Sequence, residues 1–156
     1  MARRISIPNP SVDTTYRTYV NSDYASGTTL TVASNVSFAI DNLIIVGNPR
    51  EELTEEKKVS TLSTTVTLNL ASTLNFTHPK GTPVYRVIWD FVSIEGRSSS
   101  SGTFAELTQS GLQWDNEDGL TIYFHSAGTS TWEYRFRFYN SVLVTYSEYS
   151  ATQTGA

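Results

Sequence analysis

From Thr28 onward the apolar positions of this chain recur with a period of two. TTLTVA places Leu30 and Val32 on one face, which predicts a half-buried strand. FAIDNLIIVG, residues 38–47, reads as a longer and more buried strand ended by the turn chemistry of Gly47-Asn48-Pro49. EELTEEKKVSTLS then passes from a polar stretch, long enough for one helical turn, into a strand carrying Val59 and Leu62. TVTLNL, residues 65–70, alternates with Val66, Leu68 and Leu70 inward, and after the turn-rich HPKGTP the segment VYRVI, residues 84–88, closes the series. Five short strands with brief polar connections predict a small β-barrel or sandwich over residues 26–88.

A second series begins at Trp89. WDFVSIEGR gives one strand before the Ser- and Gly-rich turn SSSSG, and TFAEL, GLTIYFH, TWEYRFRFYN and VLVTYSEYS give four more segments. In TWEYRFRFYN, Trp132, Tyr134, Phe136 and Phe138 share one face, while Glu133, Arg135 and Arg137 share the other. That alternation predicts an antiparallel strand with an aromatic core face and a charged outer face. No segment of ten or more residues has helical periodicity, which excludes folds that need crossover helices and makes the chain all-β.

The ends of the chain follow neither period. Residues 1–25 hold Pro8 and Pro10 with tyrosines at Tyr16, Tyr19 and Tyr24, and read as an extended N-terminal arm held by neighbours or by the body of the protein. Residues 151–156 read as a C-terminal tail.

Composition supports strands: 12% of the residues are aromatic and only 17% charged, with Ser and Thr in place of the missing charges. The net charge of −4 and the absence of a basic stripe argue against nucleic acid as a ligand, because phosphate binding is driven by clustered Lys and Arg. Without cysteine there is no disulfide, thiolate metal site or thiol nucleophile. MARRISIPNPSVD lacks the apolar run of a secretory signal, and no stretch reaches the roughly 18 apolar residues needed to span a bilayer, so no membrane partner is expected.

Candidate chemistry is sparse. His78, in THPKGTP, reads as a turn residue, and His125, which ends GLTIYFH, as a strand-end or surface residue; neither has the spacing of a zinc site. Asp115-Asn116-Glu117-Asp118-Gly119 clusters carboxylates ahead of a glycine but lacks the alternating order of a calcium loop, and reads as a turn. The acidic run Glu51 to Glu56 reads as a solvated loop. No phosphate-binding glycine loop and no nucleophile-elbow motif occurs, so neither enzymatic activity nor a cofactor is expected. Trp114 and the tyrosines at 139, 146 and 149 could instead present a glycan- or protein-binding face.

Two segments resemble known families. Residues 28–87, with Phe38, Asn42, Val46, Gly47, Val66 to Leu68, and His78, Gly81, Thr82, Pro83 and Val84 as landmarks, resemble a small β-module of tailed-bacteriophage virion proteins. TWEYRFRFYNSVLVTYSEYS resembles the penultimate strand of a fibronectin III or immunoglobulin-like sandwich and the start of its last strand. The roughly 62 residues from Trp89 to Ser150 are short for such a sandwich, which takes about 100. The resemblance implies an arm (1–25), a barrel or sandwich module (26–88), an Ig-like module (89–150) and a tail (151–156). It also implies a non-enzymatic virion subunit, a head decoration (cement) or other head or neck protein assembled in the host cytoplasm. Its partners would be other virion proteins and further copies of itself. Expected attachment residues are Pro8, Pro10, Tyr16, Tyr19, Tyr24, Arg135, Arg137, Tyr139, Tyr146 and Tyr149. The alternative is a tail, baseplate or adhesin module that holds a glycan through exposed aromatics.

Overall fold

The computed structural model describes residues 2–156. Among them are thirteen strands and no helix: β1 (Arg3–Pro8), β2 (Asp13–Tyr19), β3 (Thr29–Thr31), β4 (Leu43–Val46), β5 (Glu55–Thr61), β6 (Thr67–Leu70), β7 (Pro83–Val87), β8 (Phe91–Arg97), β9 (Ala105–Gly111), β10 (Leu120–His125), β11 (Glu133–Asn140), β12 (Thr145–Tyr146) and β13 (Gln153–Thr154). They divide into two compact units. Unit 1 comprises residues 1–9, 89–113 and 120–156, and unit 2 comprises residues 10–88 and 114–119.

Unit 2 is a six-stranded antiparallel sheet in the order β2-β7-β4-β5-β6-β3. Its core gathers Leu30, Val32, Ile44, Val46, Val59 and Leu68, all fully buried, so the predicted alternation of Leu30 and Val32 and alternate residues of β4 fill it. Each such aliphatic side chain contributes about 1.5–3 kcal/mol by leaving water. The outer strands meet only at an isolated bridge between Val20 and Val32, and the sheet does not close into the barrel that the spacing allowed.

Two strand boundaries differ from the sequence reading. The strand predicted over residues 38–47 survives only as β4, because Asp41 adopts a left-handed φ of 67° and the Asn42 side chain accepts a hydrogen bond from the Ala39 amide at 2.9 Å. Asp and Asn tolerate this geometry and turn the chain. Val66, expected inward, lies just ahead of β6 and is 38% exposed, while Leu68 and Leu70 are buried as expected.

Unit 1 holds two sheets, one of five strands in the order β12-β11-β8-β9 with β13 also on β11, and a two-stranded pair β1-β10. Ile5, Ile7, Val92, Ile94 and Tyr134 are buried in it. The ring of His125 on β10 lies 4.5 Å from that of Trp132 and 5.8 Å from that of Tyr134, so the two sheets face each other as in a sandwich.

The expected arm and tail are therefore structured parts of the two units. Residues 3–8 pair along their whole length with β10, from Arg3 opposite His125 to Pro8 opposite Leu120. Residues 13–19 pair with β7 across a bulge. The tail contributes β13, and Ala156 exchanges backbone hydrogen bonds with Arg4 at 2.9 and 3.0 Å. Period-two reading missed β1 because RISIP offers only Ile5 and Ile7 before a proline, too short a pattern to stand out.

Candidate interaction surface

The polar face predicted for β11 is built as a ladder. Because β8 runs antiparallel beside it, Glu133, Arg135, Arg137 and Tyr139 stand opposite Arg97, Glu95, Ser93 and Phe91. The Arg97 guanidinium bonds Glu133 Oε2 at 2.5–2.7 Å. Arg135 donates through Nε and Nη2 to Glu95 Oε2 at 2.8 and 2.6 Å, and the Tyr149 hydroxyl donates to Glu95 Oε1 at 2.5 Å.

Segment 147–150 lies along β11. The Phe138 amide donates to Ser147 Oγ, the Ser147 amide to the Phe138 carbonyl, the Phe136 amide to Ser150 Oγ and the Ser150 amide to the Phe136 carbonyl, all at 2.7–3.0 Å. This carries the aromatic rings over the arginines. Arg135 Cζ sits 3.9 Å from the Tyr149 ring centre and 4.3 Å from that of Phe104, and Arg137 Cζ lies 3.8 Å from Tyr146 and 4.7 Å from Tyr149. Tyr146 in turn stacks on Tyr139 at 4.7 Å. The five C-terminal residues expected at an attachment surface thus form one array. The face is not a bare charged one, however: Glu95 and Ser93 lie buried under the arginine and tyrosine side chains.

The electrostatics follow from that cover. Burial alone would raise the Glu95 carboxyl, but hydrogen bonds from Tyr149 and Arg135 and the charges of Arg135 and Arg137 more than offset it, leaving its pKa below the ordinary value. The same bond to Glu95, with burial behind it, raises the Tyr149 phenol above the usual 10.0. Arg137 is placed differently. Its Nε is buried and finds no acceptor among the described residues, so its charge is held chiefly by tyrosine faces.

The other expected attachment residues lie elsewhere. Pro8 ends β1 and Pro10 follows it. Tyr16 packs under Arg86, whose Cζ is 3.5 Å from the ring centre; Tyr19 is 40% exposed; Tyr24 is buried, with its hydroxyl bonded to the Gly27 carbonyl. Pro8 belongs with the β11 array to unit 1, and Pro10, Tyr16, Tyr19 and Tyr24 belong to unit 2.

Both histidines are buried, although His125 ends β10 as expected and His78 stands just ahead of the turn at residues 79–82. His125 is buried, its Nδ1 3.1 Å from the Tyr134 hydroxyl, and burial raises the Tyr134 phenol. His78 is 2% exposed, with Nε2 3.2 Å from Glu55 Oε1. The acidic run is likewise only half solvated: Glu51 and Glu52 are exposed, whereas the Glu55 carboxylate is buried and accepts from the amides of Asn75 and Phe76 at 2.7–2.9 Å. Lys57 Nζ stands 3.3 Å away. Burial would raise the Glu55 carboxyl, but these hydrogen bonds, with that to His78 and the Lys57 charge, bring it below the ordinary value. A pocket of about 440 Å³ lined by Asp23, Tyr24, Ala25, Thr77, His78 and Pro79 opens beside this cluster.

Trp114, named above for a glycan face, is 4% exposed and donates from Nε1 to Glu56 at 3.1 Å. The carboxylate cluster that follows it forms a turn closed by the bonds of the Gly119 amide to the Asn116 carbonyl and of the Asp118 amide to Asn116 Oδ1. Among the described residues no group of three or more His, Asp and Glu side chains is placed to hold a metal ion.

No protein-family model matches this chain, and no curated protein or solved structure matches it.

Proposed function

We propose that this chain is a non-enzymatic structural subunit of a tailed-bacteriophage virion, a capsid decoration (cement) protein or another head or neck subunit, and that unit 1 is a shortened immunoglobulin- or fibronectin III-like sandwich. The observation that carries the reading is the ladder on β11. Arginine and tyrosine side chains held rigid by their neighbours have the composition and preorganisation of interface anchors. The virion assignment rests on the sequence resemblance. The buried carboxylates add support, because Glu55 and Glu95 are engaged by backbone amides, Lys, Arg and Tyr, an arrangement suited to holding loops in place. The glycan-binding alternative loses its main residue, since Trp114 faces Glu56 in the interior.

The test is to purify particles by density gradient from a lysate of cells producing the chain and to quantify it by mass spectrometry. Recovery in the particle fraction at many copies is expected, reduced at least tenfold by Arg137→Met, which keeps most of the side-chain volume. A chain that remains entirely in the free fractions would overturn the reading. Deleting residues 2–20 is no substitute, because it removes Ile5 and Ile7 from the core of unit 1 and β2 from unit 2.

A further inference from the structure

β1 is the one strand of unit 1 that precedes unit 2 in the chain. It pairs in full with β10, and Ile5 and Ile7 are 1% and 0% exposed in the core of unit 1. The chain then leaves for unit 2 at Pro10 and returns only at Trp89. Asn9 still belongs with β1, since its side chain donates to the Gln113 carbonyl at 2.8 Å and accepts from the Thr121 hydroxyl at 2.6 Å. The link to β2 is therefore only Pro10, Ser11 and Val12, a reach of about 10 Å when extended. From these observations we infer that β1 is an exchangeable strand, and that two copies of this chain associate by seating the Arg3–Pro8 strand of each on β10 of the other.

First, the contacts of β1 are made with a unit that its immediate chain neighbours do not belong to, so exchange between copies preserves the six β1-β10 pairs, the Arg4–Ala156 bonds and the burial of both isoleucines. Only the conformation of residues 10–12 differs. Second, an empty acceptor is costly. Without β1, β10 loses its one strand partner among the described residues and two isoleucine sites open to water, so an unfilled unit 1 takes up whichever copy of β1 is at hand. Third, the hinge is only three residues long, and short hinge loops invite exchange. The balance is then set by concentration. A tethered strand competes at an effective concentration on the order of 1 mM, and copies crowded into a repeating assembly reach that range. The inference concerns the isolated chain and holds whether or not the virion reading does.

The register supplies a direct test. The Arg4 amide and carbonyl bond Ala156, on the side away from β10, so Arg4 and Phe124 form a non-hydrogen-bonded pair, the kind in which side chains approach most closely. Both residues are exposed, and the chain has no cysteine of its own. The full chain carrying Arg4→Cys is mixed with a differently tagged full chain carrying Phe124→Cys, and the mixture is unfolded, refolded together at concentrations from about 1 µM to about 1 mM, and then oxidised. A disulfide between the two tags forms through this register only if β1 of one copy lies on β10 of the other. The expected result is a mixed disulfide well above the random proportion, rising with refolding concentration. The double variant Arg4→Cys/Phe124→Cys shows that the pair can bond, because it closes within one chain at low concentration. Closure of the double variant with only random mixed disulfides at every concentration would overturn the inference. So would a double variant that folds, by its circular dichroism, yet closes neither within nor between chains, since the register itself would then be wrong.

Discussion

The Tyr149–Glu95 bond should act as the latch of the C-terminal segment. Tyr149→Phe removes one hydroxyl while leaving the ring over Arg135 and Arg137, so what is lost is a charge-assisted bond of 2.5 Å to a buried carboxylate. Hydrogen bonds to charged groups contribute about 1.5–3 kcal/mol, and Arg135 stays on Glu95 in the variant, so about 2 kcal/mol is expected. That corresponds to about 30-fold in an opening equilibrium. Hydrogen exchange of the Ser147 and Ser150 amides, which bond the Phe138 and Phe136 carbonyls, should accelerate by about that factor at pH 7. The pH dependence gives a second reading. The folded-state pKa of Tyr149 is raised, so its contribution is complete below the unfolded value of 10.0 and is lost as pH rises through the folded value. That of Glu95 is lowered, so its contribution is present above the ordinary 4.5 and is lost as pH falls through the folded value. The difference between wild type and variant should thus be largest across neutral pH and shrink at both extremes. Unchanged exchange at Ser150 at pH 7, or a difference independent of pH, would refute the latch.

Other perturbations follow from the same geometry. Glu55→Ala strips the acceptor from two backbone amides, His78 and Lys57; at about 1.5 kcal/mol for each amide bond it should cost about 3 kcal/mol, read as a lower urea midpoint and loss of protection at Asn75 and Phe76. The folded pKa of Glu55 is lowered, so this stabilisation should be present above pH 4.5 and fade as pH falls through the folded value, which urea titrations at descending pH would detect. Val144 is a β-branched residue at φ 53° on an exposed hairpin tip, and Val144→Asn should stabilise by up to about 1 kcal/mol, measured as a higher unfolding temperature.

The sequence made the all-β class, the five strands of residues 26–88 and the two-faced pattern of β11 legible, because all depend on alternation over neighbouring residues. It did not disclose which charges lie inside. In EELTEEKKV the four glutamates look alike, yet only Glu55 and Glu56 fall on β5, and only their cross-chain partners at Asn75, Phe76 and Trp114 explain why those two are held. His125 gave no local sign of burial either, since Tyr134, which bonds it, lies on the next strand. The array on β11 was half legible. Alternation predicted Arg135 and Arg137 on one face, but the tyrosines reach them from an almost strandless segment whose place is fixed by Ser147 and Ser150 against β11.

Residues 89–150 do not make up a unit by themselves. Unit 1 takes β1 from about 80 residues upstream and β13 from beyond Ser150, so its core is completed by the segments that looked like arm and tail. Long-range closure of this kind is slow, because the entropy of bringing Ile5 to β10 across the intervening unit is spent before any contact repays it. During that interval unit 1 exists without its first strand, with β10 unpaired and two core sites open. A neighbouring copy synthesised nearby presents the same sequence to the same groove, and nothing in the β1-β10 register distinguishes the two donors. The feature that completes the fold is therefore also the one that lets copies join.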